Sequence, residues 1–324
     1  MFVFLINLAC SGVYVKHHEE KSFIAWMRKH KQFYTGHEYH VRFGVYLANS
    51  RFVESFNKGP KRNFHLSLNN LACMTPAEYR SINGLYQQFE GTKSTSNEPP
   101  KKFKKLSEIP KSIDYRDFGV VNPAQNQHFC GSCWAFAAIC SCEGISALAS
   151  GQLLKFSEQN LVDCICEGCG GGQRDVALDY VLDSQNGNFM LDDDYPYISK
   201  QNPSCMFDQS KAVGKINGYF KVDEGDEEGL LKAVGTYGPV SCGVNSFAGS
   251  FQHYSGGIYD DRENCRPTII THAVCVIGYG TSEEGIDYYI VKNSWGDEWG
   301  ELGFGRMIRG NNICGIANVS YPVF

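Results

Sequence analysis

Apolar residues recur with helical spacing over the first sixty residues of the chain. Phe23, Trp26 and Met27 fall on one side of a first helix. A second amphipathic stretch runs from residue 38 to about residue 56, with its pattern in steps of three and four. The pattern predicts two helices between residues 17 and 60.

The most apolar helical pattern in the chain begins at Cys133. Its small and apolar residues recur every three or four positions up to Gly151, which suits the position just past a helix end. Shorter helical patterns begin at Ser157 and near Arg174. Residues 109–215 are therefore predicted to be mainly helical.

After about residue 216 the pattern changes to short strand-like runs. These runs are separated by Gly and Asp turns, and they cover residues 240–244, 273–279, 288–292 and 303–308. The last third of the chain is predicted to be mainly β, which places the whole chain in the α+β class.

The first twelve residues differ from the rest of the chain. A short apolar run is followed by the small residues Cys10, Ser11 and Gly12, and it is too short to cross a bilayer. This arrangement is typical of a secretory signal peptide cleaved near Gly12, although no basic residues precede the run. A buried first strand is the alternative. No later stretch is expected to be long and apolar enough to cross a bilayer, so no stable membrane anchor is predicted.

Charge divides the chain into two parts. Residues 1–108 hold 16 Lys and Arg against 8 Asp and Glu, whereas residues 109–324 hold 14 against 27. The net charges of +8 and −13 indicate that the two parts are separate units. Residues 88–107 are rich in Gly, Ser, Pro and Lys, as in a linker. The basic residues are scattered and no nucleic-acid-binding motif accompanies them, so nucleic acid is not an expected partner.

A group of chemically distinctive residues precedes the apolar helix. Two Cys separated by Gly and Ser are followed directly by Trp: Cys130, Gly131, Ser132, Cys133 and Trp134. Cys133 falls in the first helical turn, where free N–H groups and the helix dipole favour negative charge, so we expect its pKa to be lowered. A disulfide or a buried apolar role is the alternative for this residue.

A base and an orienting amide follow at a characteristic distance. His272 lies 139 residues and Asn293 lies 160 residues after Cys133. With the motif around Cys133, these residues resemble the papain family of cysteine proteases, and in particular its cathepsin L-like branch. The second N-terminal helix resembles the ERFNIN pattern of cathepsin L-type propeptides at six positions, namely Glu38, Arg42, Tyr46, Asn49, Val53 and Asn57.

The resemblance implies a papain-like fold with a helical left subdomain and a β-barrel right subdomain, preceded by a helical inhibitory propeptide. The implied domains are residues 1–12 (signal peptide), 13–108 (propeptide and linker) and 109–324 (peptidase), the last divided into 109–215 and 216–324. Processing is expected between residues 107 and 109.

The resemblance also assigns catalytic roles. Cys133 would attack the scissile carbonyl as a thiolate, His272 would transfer the proton, and Asn293 would orient the imidazole. Gln127 would help to stabilise the oxyanion. The reaction would be acyl transfer through a thioester, and no cofactor is expected. Neighbouring His128 stands where the family usually has Gly, and it could narrow the cleft, disturb Gln127 or point to solvent.

Substrate-binding residues follow from the same resemblance. They are Gly171, Gly172, Gln173, Arg174, Gly243, Ser246, Ile270, Ala273, Trp295 and Val319. Trp295 is also expected to shield the bond between Asn293 and His272. Gln173 and Arg174 stand where cathepsin L-like enzymes usually have apolar residues. One hypothesis is that Arg174 broadens substrate preference toward polar or acidic side chains.

Fourteen cysteines indicate an oxidising compartment. The resemblance pairs Cys130 with Cys169, Cys164 with Cys205, and Cys265 with Cys314. The alternative, that Cys164, Cys166 and Cys169 begin a metal site, lacks a second ligand pair at zinc-like spacing, so no metal is expected.

The combined expectation is a zymogen of a cysteine endopeptidase in the secretory pathway, located in a lysosome-like compartment or outside the cell. Expected partners are protein and peptide substrates, the protein's own propeptide as an intramolecular inhibitor, and cystatin-like inhibitors, with the enzyme itself a monomer. An exopeptidase of the same family is one alternative, although no His-rich occluding segment is visible. A catalytically silent binding protein on the same fold is the other.

Overall fold

A computed structural model of the chain describes residues 17–85, 105–165 and 168–324. The predicted signal peptide, most of the predicted linker and Cys166 lie outside these ranges. The helices are α1 (His17–Lys29), α2 (Gly36–Lys58), α3 (Pro76–Ile82), α4 (Cys133–Ser150), α5 (Glu158–Cys164), α6 (Arg174–Ser184), α7 (Glu227–Tyr237) and α8 (Gly249–Gln252). The strands are β1 (Phe64–Leu66), β2 (Ile113–Asp114), β3 (Val240–Val244), β4 (Tyr254–Tyr259), β5 (His272–Thr281), β6 (Asp287–Lys292), β7 (Phe304–Ile308) and β8 (Ser320–Tyr321).

One sheet organises the C-terminal part of the chain. Its strand order is β1, β4, β7, β6, β5, β3, β8, and β2 pairs with β5 beside this path. Strands β5, β6 and β7 form an antiparallel meander, while β4 runs parallel to β7. The central strands β3 and β5 are buried along nearly their whole length; helix α4 packs against both, and α7 packs against β5.

Helix α4 is the centre of the helical part. Nearly all of its residues are buried, and it packs against β5, β3 and α6. Gly151 ends it with φ +75°, a left-handed conformation that costs glycine little. Among the described residues, α4 is long and apolar enough to cross a membrane by composition alone, in contrast to the prediction that no such stretch follows the N-terminus. Its burial between the sheet and α6 shows why a core helix has this composition.

The N-terminal helices form a layer of their own. Phe23 and Trp26 from α1 pack against Tyr46 from α2 in an aromatic cluster. An ion pair links Arg42 of α2 to Glu78 of α3, and this pairing lowers the pKa of the Glu78 carboxyl to about 2. The layer therefore has its own small core, as the helical periodicity predicts.

This layer joins the larger unit by adding a strand to the sheet. Strand β1 pairs antiparallel with β4, so that Phe64 lies opposite Gly257 and Leu66 opposite Tyr254. The N-terminal part thus supplies one edge of the sheet that the C-terminal part builds.

Several elements differ from the sequence prediction, and α7 and β4 are the longest helix and the longest strand among them. Helix α7 lies within the region predicted to be mainly β, where Asp226 accepts a hydrogen bond from the Gly229 N–H and caps its first turn. Strand β4 also lies outside the predicted strand runs, because Gly256 and Gly257 interrupt its apolar pattern.

Candidate active site

Cys133 is the first residue of α4 and is completely buried. Burial raises the pKa of its thiol to about 11, although N–H groups of Ala273 and Gly84 and the charge of Arg174 act in the opposite direction. The prediction of a lowered pKa is therefore wrong for this state of the protein. Removing the sulfur from water disfavours the thiolate more than the helix N-terminus favours it.

His272 opens strand β5 and is fully buried beside Asn293, which follows β6. Its Nε2 lies 2.7 Å from the side-chain oxygen of Asn293, so Nε2 carries the hydrogen in this pairing. The opposite nitrogen, Nδ1, is buried without a hydrogen-bond partner. Burial lowers the pKa of His272 to about 4, so the imidazole is neutral here.

Trp295 covers the pair formed by His272 and Asn293. The centroids of its ring and the His272 ring are 4.4 Å apart, and Trp295 is itself buried. Asn293 also accepts a hydrogen bond from the Ser294 backbone N–H, which fixes the direction of its amide. The imidazole is thus held by one directed hydrogen bond and one ring contact.

Gln127 is buried and fully engaged. Its oxygen accepts a hydrogen bond from Ser294 Oγ at 2.6 Å. Its Nε2 donates to the carbonyl of Cys130 at 2.8 Å and to the carbonyl of Ile82, at the end of α3, at 2.7 Å. The N-terminal segment therefore offers a carbonyl oxygen to the amide expected to stabilise an oxyanion.

His128 is exposed and does not disturb Gln127. It has φ +53°, a left-handed conformation that glycine adopts more readily. Its N–H donates to the side chain of Asn126. Of the three possibilities for His128, the described contacts favour a side chain directed to solvent.

The N-terminal segment after α3 passes directly over Cys133. A backbone N–H of Gly84 interacts with the sulfur, and the Gly84 carbonyl accepts a hydrogen bond from Gly172 N–H at 2.8 Å. A Cβ on Gly84 would lie 1.9 Å from the carbonyl oxygen of Gly131. Only glycine allows this close approach of the two backbones.

The residues on either side of Gly84 contact opposite parts of the cleft. The Leu85 N–H donates to the Thr271 carbonyl, and the Leu85 side chain is buried. On the other side, the side-chain oxygen of Asn83 accepts a hydrogen bond from Ser246 Oγ. The Tyr79 hydroxyl donates to the Ser246 carbonyl at 2.6 Å.

The predicted substrate-binding residues fall into two groups around this segment. Ala273 shares a buried cluster with Leu85, and Ile270 and Val319 pack against that cluster. Gly243 lies opposite Ala273 in the sheet. Gly171, Gly172, Gln173 and Arg174 lie at the start of α6. Ser246 and Trp295 instead contact Tyr79, on the other side of Gly84.

Three disulfides connect the pairs that the resemblance implies: Cys130 with Cys169, Cys164 with Cys205, and Cys265 with Cys314. The first of these holds the loop before Cys133 to the loop that carries Gly171 and Gly172. In the described parts of the chain, no group of three or more His, Cys, Asp and Glu side chains is placed to hold a metal ion.

Sequence reasoning missed the residues by which the N-terminal segment occupies the site. Ile82, Gly84 and Leu85 bind Gln127, Cys133 and Thr271 through backbone groups, which leave little trace in side-chain patterns. It also missed Ser294, whose hydroxyl orients Gln127. The available signals were the Asn83-Gly84 pair after a short helix and the position of Ser294 next to Asn293.

Family models match two parts of the chain. Residues 109–323 match the papain family of cysteine proteases, and residues 23–79 match the cathepsin propeptide inhibitor domain.

Curated relatives extend this similarity to most of the chain. Cathepsin K of Mus musculus is 38% identical over 306 residues, which cover 92% of this chain and 91% of the relative. Procathepsin L of Rattus norvegicus is 37% identical over 312 residues, covering 92% and 90%.

Solved proforms share the fold. Digestive procathepsin L 3 from Tenebrio molitor larval midgut has a TM-score of 0.81 at 32% identity, covering 95% of this chain and 99% of that one. The proform of Amb a 11, a ragweed pollen cysteine protease, has a TM-score of 0.83 at 34% identity, with 96% of each chain covered. The predicted family and fold class are confirmed, and the chain belongs to the papain family of cysteine proteases as a zymogen with a cathepsin-type inhibitory propeptide.

Proposed function

We propose that this zymogen yields an endopeptidase in which Cys133 is the nucleophile, His272 its proton partner, Asn293 the orienting amide and Gln127 an oxyanion donor. The observation that carries the assignment is the 2.7 Å contact between His272 Nε2 and Asn293. It leaves Nδ1 as the unpartnered nitrogen, and the backbone N–H of the next residue, Ala273, interacts with the Cys133 sulfur.

Removal of the propeptide restores water to the site and reverses the burial that keeps both groups neutral. The thiol proton then passes to His272 Nδ1, and the thiolate attacks the substrate carbonyl. The tetrahedral oxyanion accepts hydrogen bonds from the Gln127 amide and the Cys133 backbone N–H. His272 protonates the leaving amine, and water hydrolyses the resulting thioester to complete the cycle.

The path of the propeptide supports endopeptidase rather than exopeptidase activity. An internal stretch of polypeptide passes Cys133 and makes contacts on both sides of it, at Ser246 through Tyr79 and at Thr271 through Leu85. A cleft that holds a continuous chain on both sides of the nucleophile also suits cleavage within a substrate chain.

Domain boundaries and compartment follow the same proposal. Residues 105–108 include the exposed turn Leu106–Glu108, and the chain then enters the core at Ile109. An exposed turn directly before a buried residue suits proteolytic processing between residues 107 and 109. Three disulfides in the described residues support maturation in the secretory pathway.

The test uses an internally quenched peptide blocked at both ends. Refolded zymogen is acidified under mild reduction, its processing is followed by mass spectrometry, and the processed protein is incubated with the peptide. We expect cleavage within the blocked peptide and selective iodoacetamide labelling at Cys133. Cys133→Ala should remove turnover. Retained turnover in this variant would contradict the catalytic assignment, and failure on blocked peptides with activity on free termini would favour an exopeptidase.

A further inference from the structure

Arg174 is a buried cation in which two of the three guanidinium nitrogens lack a hydrogen-bond acceptor in the part of the chain that the structure describes. It is the first residue of α6, and only 1% of its surface is exposed. Its Nε and Nη1 have no hydrogen-bond partner within the described residues. Its guanidinium lies over the ring of Tyr321, with 5.2 Å between its central carbon and the ring centroid. The ring stabilises the charge, but it leaves the two N–H groups unsatisfied.

Neighbouring carboxylates do not remove this deficit. Asp175 interacts with the Tyr321 hydroxyl, and Asp179 accepts a hydrogen bond from the Tyr219 hydroxyl at 2.7 Å. Burying a charge without a partner is costly, because the interior replaces few of the interactions that water supplied. A ligand that brings its own carboxylate would therefore bind Arg174 favourably.

Arg174 borders an apolar pocket beside Gly243 and Ile270, next to the buried cluster that includes the Leu85 side chain. The position that a Cβ of Gly243 would occupy is 3.1 Å from Arg174 Nη2 and 2.6 Å from a methyl group of Ile270. Ile270 packs against the buried cluster that contains Leu85 and Ala273. Gly84, the residue before Leu85, lies at Cys133. The pocket therefore lies beside the side chain of the residue that follows the one at the nucleophile.

We propose, building on the peptidase function above, that Arg174 selects substrates with an acidic side chain, preferably Glu, at the second residue before the scissile bond. The carboxylate oxygens of glutamate lie one bond farther from the backbone than the methyl carbons of leucine. It can thus pass the apolar wall of Ile270 and Val319 and accept hydrogen bonds from the guanidinium. The Leu85 side chain lies beside the same pocket but offers Arg174 no hydrogen-bond acceptor, which suits a propeptide residue that leaves on activation.

The first experiment compares three fluorogenic peptides that differ only in having Glu, Gln or Leu at this residue. Enzyme concentrations are set by active-site titration of Cys133 with an irreversible thiol-directed inhibitor. We expect wild-type kcat/KM for the Glu peptide to exceed that for the Gln peptide roughly tenfold to hundredfold at pH 6. In Arg174→Met the Glu to Gln ratio should fall below one, because the carboxylate would be buried without a partner, and the Leu peptide should become the best substrate.

A pH series distinguishes charge recognition from a general effect of pocket shape. The Glu to Gln ratio should decline as the pH falls through about 4.3, where the substrate carboxyl becomes protonated. Arg174→Lys should keep part of the ratio, because it preserves the charge but not the planar donor arrangement. A ratio near one in the wild type, or the same ratio in Arg174→Met, would overturn the proposal. If no peptide is cleaved and Cys133 is not titrated, the proposed peptidase function fails instead.

A second measurement does not depend on activity. In zymogen carrying Cys133→Ala, Leu85→Glu and Leu85→Gln are compared by thermal unfolding at pH 7, each with and without Arg174→Met. With Arg174 present, we expect the Glu variant to unfold roughly 2–4 °C above the Gln variant. The order should reverse in Arg174→Met, since the carboxylate would then be buried without a partner. If the unfolding temperatures of the Glu and Gln variants differ equally with and without Arg174→Met, Arg174 does not recognise the charge in this pocket.

Discussion

The side-chain amide of Gln127 donates a hydrogen bond of 2.7 Å to the backbone carbonyl of Ile82. The propeptide therefore occupies the same donor that we assign to the oxyanion of the reaction. This contact inhibits in two ways, because it covers the donor and it positions the following residues over Cys133. An inhibitory segment that uses catalytic donors need not be complementary to a substrate side chain.

Replacing Gln127 with Ala should slow the chemical step. We expect kcat to fall by about 10² to 10³, with little change in KM, because the lost hydrogen bond forms mainly in the transition state. Steady-state kinetics of processed enzyme measures both constants. His128→Gly is the matched control, since His128 is exposed next to Gln127 and should leave kcat within a small factor. A large effect in KM alone would contradict the oxyanion assignment.

Removal of the propeptide should activate the Cys133 thiol. In the zymogen, burial raises its pKa to about 11, so the thiol is protonated at pH 7. We expect iodoacetamide to alkylate Cys133 at least a hundredfold faster after processing, as a rise in thiolate requires. His272→Ala should remove most of this increase. Equal labelling rates before and after processing would show that the propeptide does not control ionisation.

Gly84→Ala should loosen the propeptide. The added methyl group would lie 1.9 Å from the Gly131 carbonyl oxygen, and neither backbone can retreat without breaking the contacts around Cys133. Such overpacking costs about 1–3 kcal/mol, which increases opening of the site roughly 5- to 150-fold. Alkylation of Cys133 in unprocessed zymogen measures this opening.

The matched control for that variant is Gly44→Ala. Gly44 lies in helix α2 with no atom within 4 Å of its added Cβ, so the change should not open the site. A faster alkylation of Cys133 in Gly44→Ala, or no increase in its rate in Gly84→Ala, would show that the close approach at Gly84 does not hold the segment in place.

Acidification should weaken propeptide docking through His30. Its Nδ1 lies 2.7 Å from a Glu298 oxygen, while its Nε2 is buried without a partner. Burial lowers the pKa of His30 below its usual value of 6.5, in spite of attraction by Glu298, and nearby Lys29 lowers it further. Undocked propeptide therefore binds a proton more readily, and the docking equilibrium should weaken by up to about tenfold per pH unit between 6.5 and the lower pKa of docked His30.

Hydrogen exchange of α1 and α2 amides in Cys133→Ala zymogen measures this effect between pH 7 and 5. His30→Gln should remove the part of the pH dependence of amide exchange that begins near pH 6.5. His37→Gln, an exposed change on α2, serves as the control and should retain it. Identical profiles for wild type and His30→Gln would assign the acid response to other groups.

Local patterns in the sequence predicted the elements that carry their own periodicity. Helix α4 begins at Cys133 and β3 spans Val240–Val244, both as predicted, because apolar spacing and turn residues encode them directly. Helix α7 was missed because its Gly residues and acidic start resemble a turn region, while its cap at Asp226 becomes visible only in the structure.

The state of the site could not be predicted in the same way. The sequence places Cys133 at a helix N-terminus, and this position alone predicts a lowered pKa. The pKa is raised instead because tertiary packing buries the sulfur completely, and Gly84, which contacts the sulfur, is about fifty positions away in the chain. Contacts between backbone groups of distant segments follow from tertiary packing and not from local residue patterns.

Strand β1 has a consequence for the enzyme after processing. When the propeptide leaves, β4 loses its partner and becomes the free edge of the sheet, with unpaired N–H and C=O groups available to other chains. Gly256 and Gly257 have φ +156° and +88°, and the pairing with β1 is already irregular near His65. An irregular edge is a poor template for aggregation, so β4 should pair poorly with a strand from a second copy of the mature enzyme.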